Sequence, residues 1–345
     1  MNDQPAPTLP RCLLITAARN EERYLEQTIL AMRAQTVRPV KWIIVNDGST
    51  DGTAKIIERY AATTDWIDRL DMPVHRGRSF AAKALCFNAA WKAVDGLDYE
   101  VIGNLDADIT FEPDYLEFVL TKFAEILDLG AAGTPFLQED GYDSSRDSFE
   151  GETHVAGGCQ LFRRSCFEEV GGYIPNGAGG IDWIAVTTAR MKGWKTQSFR
   201  DKRFMHHRPL GTADRSSLSA FFSYGEKDYR LGGSALWEVC RIAYRMGKPP
   251  LVLGGLALGL GFLSATIRRV ERTVSADLTR FHRREQMTKL KAIMRTLALR
   301  RSLDHFSLRT SLRNKVQRAV VPIMAGVPLA RMEMLVDHFP QWFQP

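Results

Sequence analysis

The sequence has few cysteines, and their number and spacing exclude the folds that depend on them. There are five in 345 residues, an odd number, with no Cys-x-x-Cys pair. This pattern argues against a disulfide framework or a zinc knuckle and predicts reduced thiols in a cytoplasmic setting. The segment 1–10 is polar and proline-rich and has neither the basic nor the apolar part of a secretory signal, so we expect a flexible N-terminus. The cysteines are Cys12, Cys86, Cys159, Cys166 and Cys240.

The motifs of several large enzyme classes are also missing. The chain has no Gly-x-x-x-x-Gly-Lys-Ser/Thr loop, no Gly-x-Gly-x-x-Gly after its first predicted strand, no Gly-x-Ser-x-Gly and no His-Glu-x-x-His. The sequence therefore gives no support for assigning the protein to the P-loop NTPases, the nicotinamide enzymes, the serine hydrolases or the zinc proteases. Any phosphate group that the protein binds must be held by a metal ion or by charged side chains.

The first 135 residues alternate short apolar runs with longer helical patterns. Such alternation is typical of parallel βαβ units and predicts an α/β fold. In an open parallel sheet, ligands lie outside the carboxyl ends of the strands, and polar clusters at 17–21, 46–53 and 106–108 fall there, so that one cleft collects all three. Strands are predicted at 12–16, 40–45, 69–72, 101–105, 155–163 and 196–199, and helices at 21–35, 80–94 and 166–170.

Asp106 and Asp108 are the most informative residues, because they directly follow the apolar run 99–105. Repulsion between neighbouring carboxylates is relieved by a hard cation, and a divalent metal that holds a diphosphate needs oxygen ligands of this kind. The alternative is a solvated turn, or the N-cap of a helix that begins near Pro113. Taken with the rest of the chain, the pair predicts a metal site.

Asp47 ends the second predicted strand, at the start of a glycine-containing turn. As a fixed acceptor, its carboxylate suits the imide N–H of a uracil or a ribose hydroxyl, whereas Asp51 and Thr53 are expected only to cap the next helix. Lys83 lies within the third predicted helix. It is either a ligand of a phosphate group or part of a solvated helix surface, and the sequence leaves both interpretations open.

His206, His207 and Arg208 are consecutive in the chain. A neutral imidazole can complete a metal sphere begun by Asp108, and Arg208 can meet a phosphate. The sequence does not distinguish the two histidines, and one of them is expected to be structural. Asp182, which follows a glycine-rich loop and opens a predicted helix, is either a general base or a helix N-cap.

Six short motifs occur in a fixed order between 11 and 211. They are Arg19-Asn20-Glu21-Glu22, Gln35-Thr36, Asn46-Asp47-Gly48-Ser49-Thr50-Asp51-Gly52-Thr53, Leu105-Asp106-Ala107-Asp108, Gly171-Gly172-Tyr173 and the segment around Asp182. Together they resemble the family 2 inverting glycosyltransferases of the GT-A fold. The resemblance implies a catalytic domain at 11–215 with a Rossmann-like, mixed but mostly parallel sheet flanked by helices.

The resemblance also implies roles for individual residues. Asp108 would coordinate Mg²⁺ or Mn²⁺ on the diphosphate, together with His206 or His207. Asp182 matches the base that deprotonates an acceptor hydroxyl for in-line attack on the anomeric carbon. The residues implied to line the nucleotide site are Ala17, Arg19, Glu21, Asp47, Lys83 and Asp106.

The sequence departs from the family pattern at three points. Asn46 replaces the acid that often precedes Asp47, and Ile181 replaces the glutamate that often precedes Asp182. Because the Gln-x-x-Arg-Trp motif of processive synthases is missing, we expect the addition of a single sugar. We predict a hexosyltransferase-type enzyme that uses a UDP- or GDP-sugar and a lipid-linked or glycan acceptor in surface polysaccharide synthesis. The alternatives are a polyprenyl-phosphate glycosyltransferase, whose acceptor needs no base, and a non-catalytic membrane-attached scaffold.

Basic residues are concentrated in the C-terminal part of the chain. From 246 to 345 there are 17 lysines and arginines against 6 acidic residues, a net charge of +11, whereas 1–245 carries −5. With its apolar neighbours, this charge predicts an anionic membrane surface as the partner, and nucleic acid is kept only as an alternative. We predict that 216–345 forms a helical, membrane-associating region, peripheral or re-entrant at the cytoplasmic face of the inner membrane.

Nineteen consecutive uncharged residues, 249–267, precede Arg268 and Arg269. A helix of that length is about 28 Å long, just short of the roughly 30 Å hydrocarbon core. Four glycines and two leading prolines suit close packing on a neighbour, or a dip into one leaflet, better than a full span. The alternative is a buried core helix or a helix at a homodimer interface.

Overall fold

The computed structural model describes residues 8–73, 80–147, 151–208 and 217–298. The chain divides into two compact units, Met1–Pro209 and Leu210–Pro345. This division lies close to the boundary predicted between 215 and 216. Most of the predicted flexible segment 1–10 lies outside the described residues.

The first unit is built on a seven-stranded sheet. In spatial order its strands are β3 (Ile67–Asp71), β2 (Lys41–Asn46), β1 (Cys12–Ala18), β4 (Val101–Leu105), β8 (Cys159–Arg163), β6 (Leu129–Gly133) and β9 (Lys195–Ser198). The first four are parallel to one another, whereas β8 is antiparallel to both of its neighbours. The predicted α/β fold with a mixed, mostly parallel sheet is therefore confirmed.

Helices cover both faces of this sheet. The helices on one face are α1 (Leu25–Arg33), α2 (Thr53–Thr63) and α4 (Tyr115–Glu125), and those on the other are α3 (Phe80–Ala93), α6 (Arg164–Val170) and α7 (Ile181–Met191). Successive residues of a strand point to opposite faces, so a strand covered on both sides is apolar throughout. In β1, for example, Leu14 packs in the core on the side of α1, α2 and α4. Leu13 and Ile15 pack in the core on the side of α3, α6 and α7.

A smaller three-stranded sheet brings two distant segments together. Its strands are β5 (Ile109–Phe111), β10 (Phe204–His206) and β7 (Phe136–Gln138), and a short helix, α5 (Ser144–Asp147), follows β7 in the chain. β10 pairs antiparallel with β5, in a register that sets His206 opposite Ile109. Because β5 begins directly after Asp108, this register carries the histidine to the end of β4.

Two elements begin four residues later than the sequence predicts. The strand predicted at 155–163 starts only at Cys159, because 157–158 form a turn. The helix predicted from Glu21 starts at Leu25. Glu21 lies in a turn before it, where its backbone N–H donates to Thr53 Oγ1 at 2.8 Å and its carbonyl accepts the N–H of Leu25 at 2.9 Å.

The second unit is helical in its described part. Its helices are α8 (Ser217–Arg230), α9 (Ala235–Met246), α10 (Leu253–Ile267) and α11 (Ala276–Ala298). The uncharged run 249–267 is helical only from Leu253, after a cis bond between Pro249 and Pro250. Of the helices in the described residues, none combines the length and the apolar character that a membrane crossing requires.

Glycines bring α8 and α10 into backbone contact. A Cβ on Gly225 would overlap the carbonyl oxygen of Leu258, and one on Gly261 would overlap that of Phe222, each at 2.0 Å. No side chain larger than hydrogen fits at either position. The buried face of α10 is therefore fixed against α8.

A buried acidic residue links α8 and α9. Glu238 is 3% exposed, and its Oε1 has no hydrogen-bond partner among the described residues. Arg241 lies 3.8 Å from its Oε2 and also pairs with Asp228. Burial, together with the negative charge of Asp228, raises the pKa of Glu238 to about 8, although Arg241 opposes the shift.

We expect Glu238→Gln to stabilise the protein at alkaline pH. The carboxyl group binds its proton more tightly in the folded than in the unfolded state, so the wild type loses stability as the pH rises from about 4.5 to about 8. A neutral glutamine has no such titration. The free energy of unfolding in urea should favour the variant by about 2–4 kcal/mol at pH about 9 and converge on that of the wild type near pH 5. Parallel pH profiles for the two proteins would contradict the assignment.

Candidate functional site

Three parallel strands deliver charged residues to one edge of the large sheet. Arg19 follows β1, Asp47 follows β2 and Asp106 follows β4. The backbone N–H of Asp47 donates to the carbonyl of Ala18 at 2.9 Å, and its buried carboxylate lies 3.8 Å from the Arg19 guanidinium. Ala17 lies in β1 and is partly buried against the core that contains α3. The predicted convergence of the three polar clusters is therefore observed.

The segment after β2 supports the segment after β1. Asn20, at φ 55°, accepts the backbone N–H of Thr50 at 2.8 Å and donates its own N–H to Ser49 Oγ at 3.1 Å. The N-cap of α2 is Gly52 and no side chain caps this helix, so the capping roles expected for Asp51 and Thr53 are not observed. Asp51 instead accepts the backbone N–H of Thr53 at 3.0 Å, in the turn before the helix. These contacts fix the backbone that carries Arg19 and Glu21.

Asp106, Asp108 and His206 form a cluster that could hold a metal ion. One ligand atom from each residue lies within 4.8 Å of the other two. His206 Nε2 is 3.8 Å from Asp108 Oδ1, and the Asp108 side chain is 9% exposed. Between the two acids, the buried Ala107 accepts a hydrogen bond from Thr28 Oγ1 at 2.8 Å, which anchors the turn.

The two adjacent histidines have different environments. His206 Nδ1 lies 2.6 Å from the carbonyl oxygen of Arg208, which can only accept, so Nδ1 carries a proton. Nε2 is left on the side of Asp108, where the neutral form of the ring offers a lone pair to a metal. His207 uses both nitrogens elsewhere, with Nε2 2.9 Å from Thr110 Oγ1 and Nδ1 3.0 Å from Glu139. The geometry brings His206, and not His207, to the pair of aspartates.

The electrostatics of the cluster favour a bound cation. Burial and the neighbouring charge of Asp106 raise the pKa of Asp108, against the opposing effects of His206 and Arg208. Carboxylates ionise more readily when a positive ion lies between them, and two carboxylate oxygens with one imidazole nitrogen suit a divalent metal such as Mn²⁺. The donor set therefore fits the metal that the sequence predicts.

Lys83 belongs to the site rather than to a solvated helix surface. Its Nζ lies 2.5 Å from Asp106 Oδ1 and 3.3 Å from the carbonyl oxygen of Gly157. Burial lowers the pKa of this lysine, but Asp106, Asp182 and the more weakly acting Asp108 outweigh that effect and raise it. The ammonium group thus remains charged within reach of the cluster.

Gly157 and Gly158 separate Asp106 from Asp182, a feature that the sequence prediction missed. A Cβ on Gly157 would lie 2.7 Å from Asp182 Oδ2, and one on Gly158 would lie 3.7 Å from Asp106 Oδ2. The Gly157 carbonyl accepts from Asn104 Nδ2 at 2.6 Å, which holds the turn to β4. Two residues without side chains therefore allow both acids to approach the same backbone.

Asp182 lies in the first turn of α7. The N-cap of this helix is Gly180, at φ 79°, and no side chain caps it, so the alternative role of Asp182 as the cap is wrong. Its carboxylate is half-buried and is one of the charges that raise the pKa of Lys83. The acid is thus held near the cluster by packing rather than by helix capping.

Glu21 and Arg208 complete the cleft. They form an ion pair, and Arg208 Nε is also 3.6 Å from Asp108 Oδ2. Burial raises the pKa of Glu21 to about 7, although Arg208 opposes the shift. Arg208 is thereby held beside the metal-binding cluster, where its charge can reach an anionic ligand.

Comparison with known proteins agrees with this architecture. Residues 13–171 match the family model "Glycosyl transferase family 2". The mannosyltransferase PcManGT from Pyrobaculum calidifontis, described in complex with GDP-Man and Mn²⁺, superposes with a TM-score of 0.52 at 20% identity and covers 98% of this chain and 90% of its own. Residues 13–171 therefore match a family 2 glycosyltransferase domain and the fold is GT-A-like, which confirms the resemblance noted in the sequence.

Curated relatives match over a shorter region. EpsH of Bacillus subtilis, which is named as a glycosyltransferase, is 30% identical over 120 residues, or 35% of this chain and 32% of its own length. The 4,4'-diaponeurosporenoate glycosyltransferase of Staphylococcus aureus is 32% identical over 112 residues, or 32% of this chain and 27% of its own. The chain thus spans a third or less of the length of these two relatives.

We expect Asp108→Asn and His206→Ala each to raise the Kd of Mn²⁺ by about tenfold or more, because each removes one of three ligand atoms. Isothermal titration with Mn²⁺ in the presence of UDP or GDP measures this change. His207→Ala is the matched control and should change the Kd by less than about twofold, since its nitrogens bond to Thr110 and Glu139. Equal losses in the two histidine variants would refute the assignment.

Proposed function

We propose that the protein is an inverting, metal-dependent glycosyltransferase that moves a single sugar from a UDP- or GDP-sugar to the hydroxyl group of a lipid-linked or glycan acceptor. The observation that carries this proposal is the cluster of Asp106, Asp108 and His206, with Asp182 on the other side of Gly157. It lies at the carboxyl ends of parallel strands in a family 2 domain, where nucleotide ligands bind in such sheets.

The donor nucleotide would bind along the ends of β1, β2 and β4. Asp47, buried and paired with Arg19, supplies a fixed acceptor for a base N–H or a ribose hydroxyl. Lys83 and Arg208 supply positive charge next to the two aspartates, at positions suited to the oxygens of a diphosphate. Ala17 and Glu21 form the nearby wall.

Asp106, Asp108 and His206 would hold Mn²⁺ or Mg²⁺. A cation bound there would neutralise the negative charge that develops on the departing nucleoside diphosphate. The histidine nitrogen favours Mn²⁺ over the harder Mg²⁺. A neighbour of the same fold is described with GDP-Man and Mn²⁺, which agrees with this choice of donor class and metal.

Asp182 would act as the general base. Its carboxylate takes the proton of the acceptor hydroxyl while the hydroxyl oxygen forms a bond to the anomeric carbon. The bond from that carbon to the diphosphate oxygen breaks at the same time, and the electron pair leaves with the nucleoside diphosphate. A single displacement of this kind inverts the anomeric configuration. Lys83, near both Asp106 and Asp182, helps to hold the two acids in their relative positions.

We expect Asp182→Asn to lower kcat by about 10²–10⁴-fold, because the amide cannot accept the hydroxyl proton. A thermal-stabilisation screen of UDP- and GDP-sugars with Mn²⁺ identifies the donor. Release of its nucleoside diphosphate in the presence of a membrane-lipid extract then measures turnover, while the Kd for the donor should stay unchanged. The control is Asp128→Asn, an exposed acid at the start of β6 and thus at the opposite end of the sheet.

Two outcomes would contradict the proposed function. Full turnover in Asp182→Asn would exclude the base and favour an acceptor that needs none, such as a polyprenyl phosphate. If no nucleoside diphosphate or nucleotide sugar binds with Mn²⁺ present, the chain is instead a non-catalytic scaffold that retains the fold.

We expect Gly157→Ala to lower kcat by about 10²-fold with little change in donor affinity. The new Cβ would lie 2.7 Å from Asp182 Oδ2 and would displace the carboxylate, and a displacement of about 1 Å is enough for such a loss. Gly177→Ala is the control, because its Cβ would meet no atom within 4 Å. Wild-type kcat in Gly157→Ala, measured by the same release assay, would show that the position of Asp182 is not critical.

A further inference from the structure

The largest group of exposed apolar side chains in the described residues lies on α10 and the turn before it. On the helix these side chains recur every three or four residues and so form one stripe along its outer face. The stripe, which we call the leucine face, consists of Leu253 (54% exposed), Leu256 (46%), Leu260 (58%), Leu263 (52%) and Ile267 (72%).

The opposite face of α10 is already occupied. Gly254, Gly255, Leu258, Gly261 and Ala265 are buried in the second unit. Because the backbones of α8 and α10 touch, a rotation of α10 that would bury the leucine face in their place would drive side chains into the backbone of α8. A helix with apolar residues on every side is normally buried on every side. In the described residues, α10 is buried on one side and the leucine face is exposed.

Positive charge lies next to the leucine face. The run 249–267 contains no charged residue, and Arg268 and Arg269 follow it at once. Arg268 pairs with Glu226 at 3.3 Å, but its side chain remains 64% exposed. The described residues from 246 to 298 contain 10 lysines and arginines against 3 acidic residues, a net charge of +7. An apolar strip with a basic end is complementary to a surface that is both apolar and anionic.

We propose that the leucine face binds the interface of an anionic membrane, with α10 parallel to the bilayer plane. From Leu253 to Ile267 the stripe is about 21 Å long, too short to cross the hydrocarbon core but suited to lying at the level of the headgroups. The leucine side chains enter the acyl region, and Arg268 and Arg269 contact lipid phosphates.

Charge argues against a second copy of the chain as the occupant. Two leucine faces packed in parallel would bring the arginines at their ends together. Packed antiparallel, they would set these arginines near Lys248, the basic residue that precedes the start of the other helix. No acidic residue within 249–267 is present to pair with them.

Co-sedimentation of the full chain with lipid vesicles tests the proposal. We expect binding to vesicles of phosphatidylcholine mixed with phosphatidylglycerol, and weaker binding to phosphatidylcholine alone or at high salt. The double variant Leu256→Glu/Leu260→Glu should bind at least about tenfold more weakly, because it sets two charges in the acyl region. Leu127→Glu is the matched control, since Leu127 is 81% exposed and lies in the first unit.

Three results would overturn the proposal. They are the absence of wild-type binding to anionic vesicles, equal binding by the double variant, and equal losses in the double variant and Leu127→Glu. Sedimentation velocity without lipid provides a fourth: a dimer that the double variant converts to a monomer would assign the leucine face to a second copy. Circular dichroism of each variant establishes that it is folded, and no outcome depends on sugar transfer.

Discussion

The site depends on the confinement of two like-charged side chains, Asp106 and Asp108, at the end of a buried strand. Burial and mutual repulsion both disfavour ionisation, and they raise the pKa of Asp108. Each acid is accordingly met by a basic group, Asp106 by Lys83 at 2.5 Å and Asp108 by Arg208 at 3.6 Å. Since Ala107 between them is held in the core, the turn cannot relieve the repulsion by moving into solvent.

The fold determines which other residues meet this pair. Parallel strands bring Arg19 and Asp47 to the same edge as Asp106, because the carboxyl ends of parallel strands lie together. The pairing of β10 with β5 adds His206. The helix α7, which packs in the same core as α3 and α6, adds Asp182. The turn at Gly157 and Gly158 then lets the acid from α7 approach the end of β4. Each contribution comes from backbone pairing or packing, so the site is assembled by the scaffold itself.

What could be predicted from the sequence was the part that is encoded locally. An apolar run that ends in two aspartates is visible in a few residues, and so is the order of the polar clusters. The choice between His206 and His207 depends on the pairing of β10 with β5, which lies far away in the chain. Because the side chains of adjacent residues in a strand point to opposite faces, this pairing decides which histidine faces the aspartates. Gly157 falls inside a predicted strand, and its role exists only because Asp182 packs against it. The apolar character of the run 249–267 could be read from the sequence. Which side of α10 packs against α8 could not.

A count of charges around the cleft explains why we propose a metal-dependent reaction. Around the metal-binding cluster the cleft holds four carboxyl groups against two basic side chains, apart from the Asp47–Arg19 pair, which adds one group of each sign. The acids are Glu21, Asp106, Asp108 and Asp182, and the basic residues are Lys83 and Arg208. A diphosphate that entered alone would add to an existing excess of negative charge. A divalent cation cancels that excess, and the two basic side chains can then turn from the protein's own acids to the phosphate oxygens. The same residues that repel a free diphosphate therefore favour one that arrives with its cation.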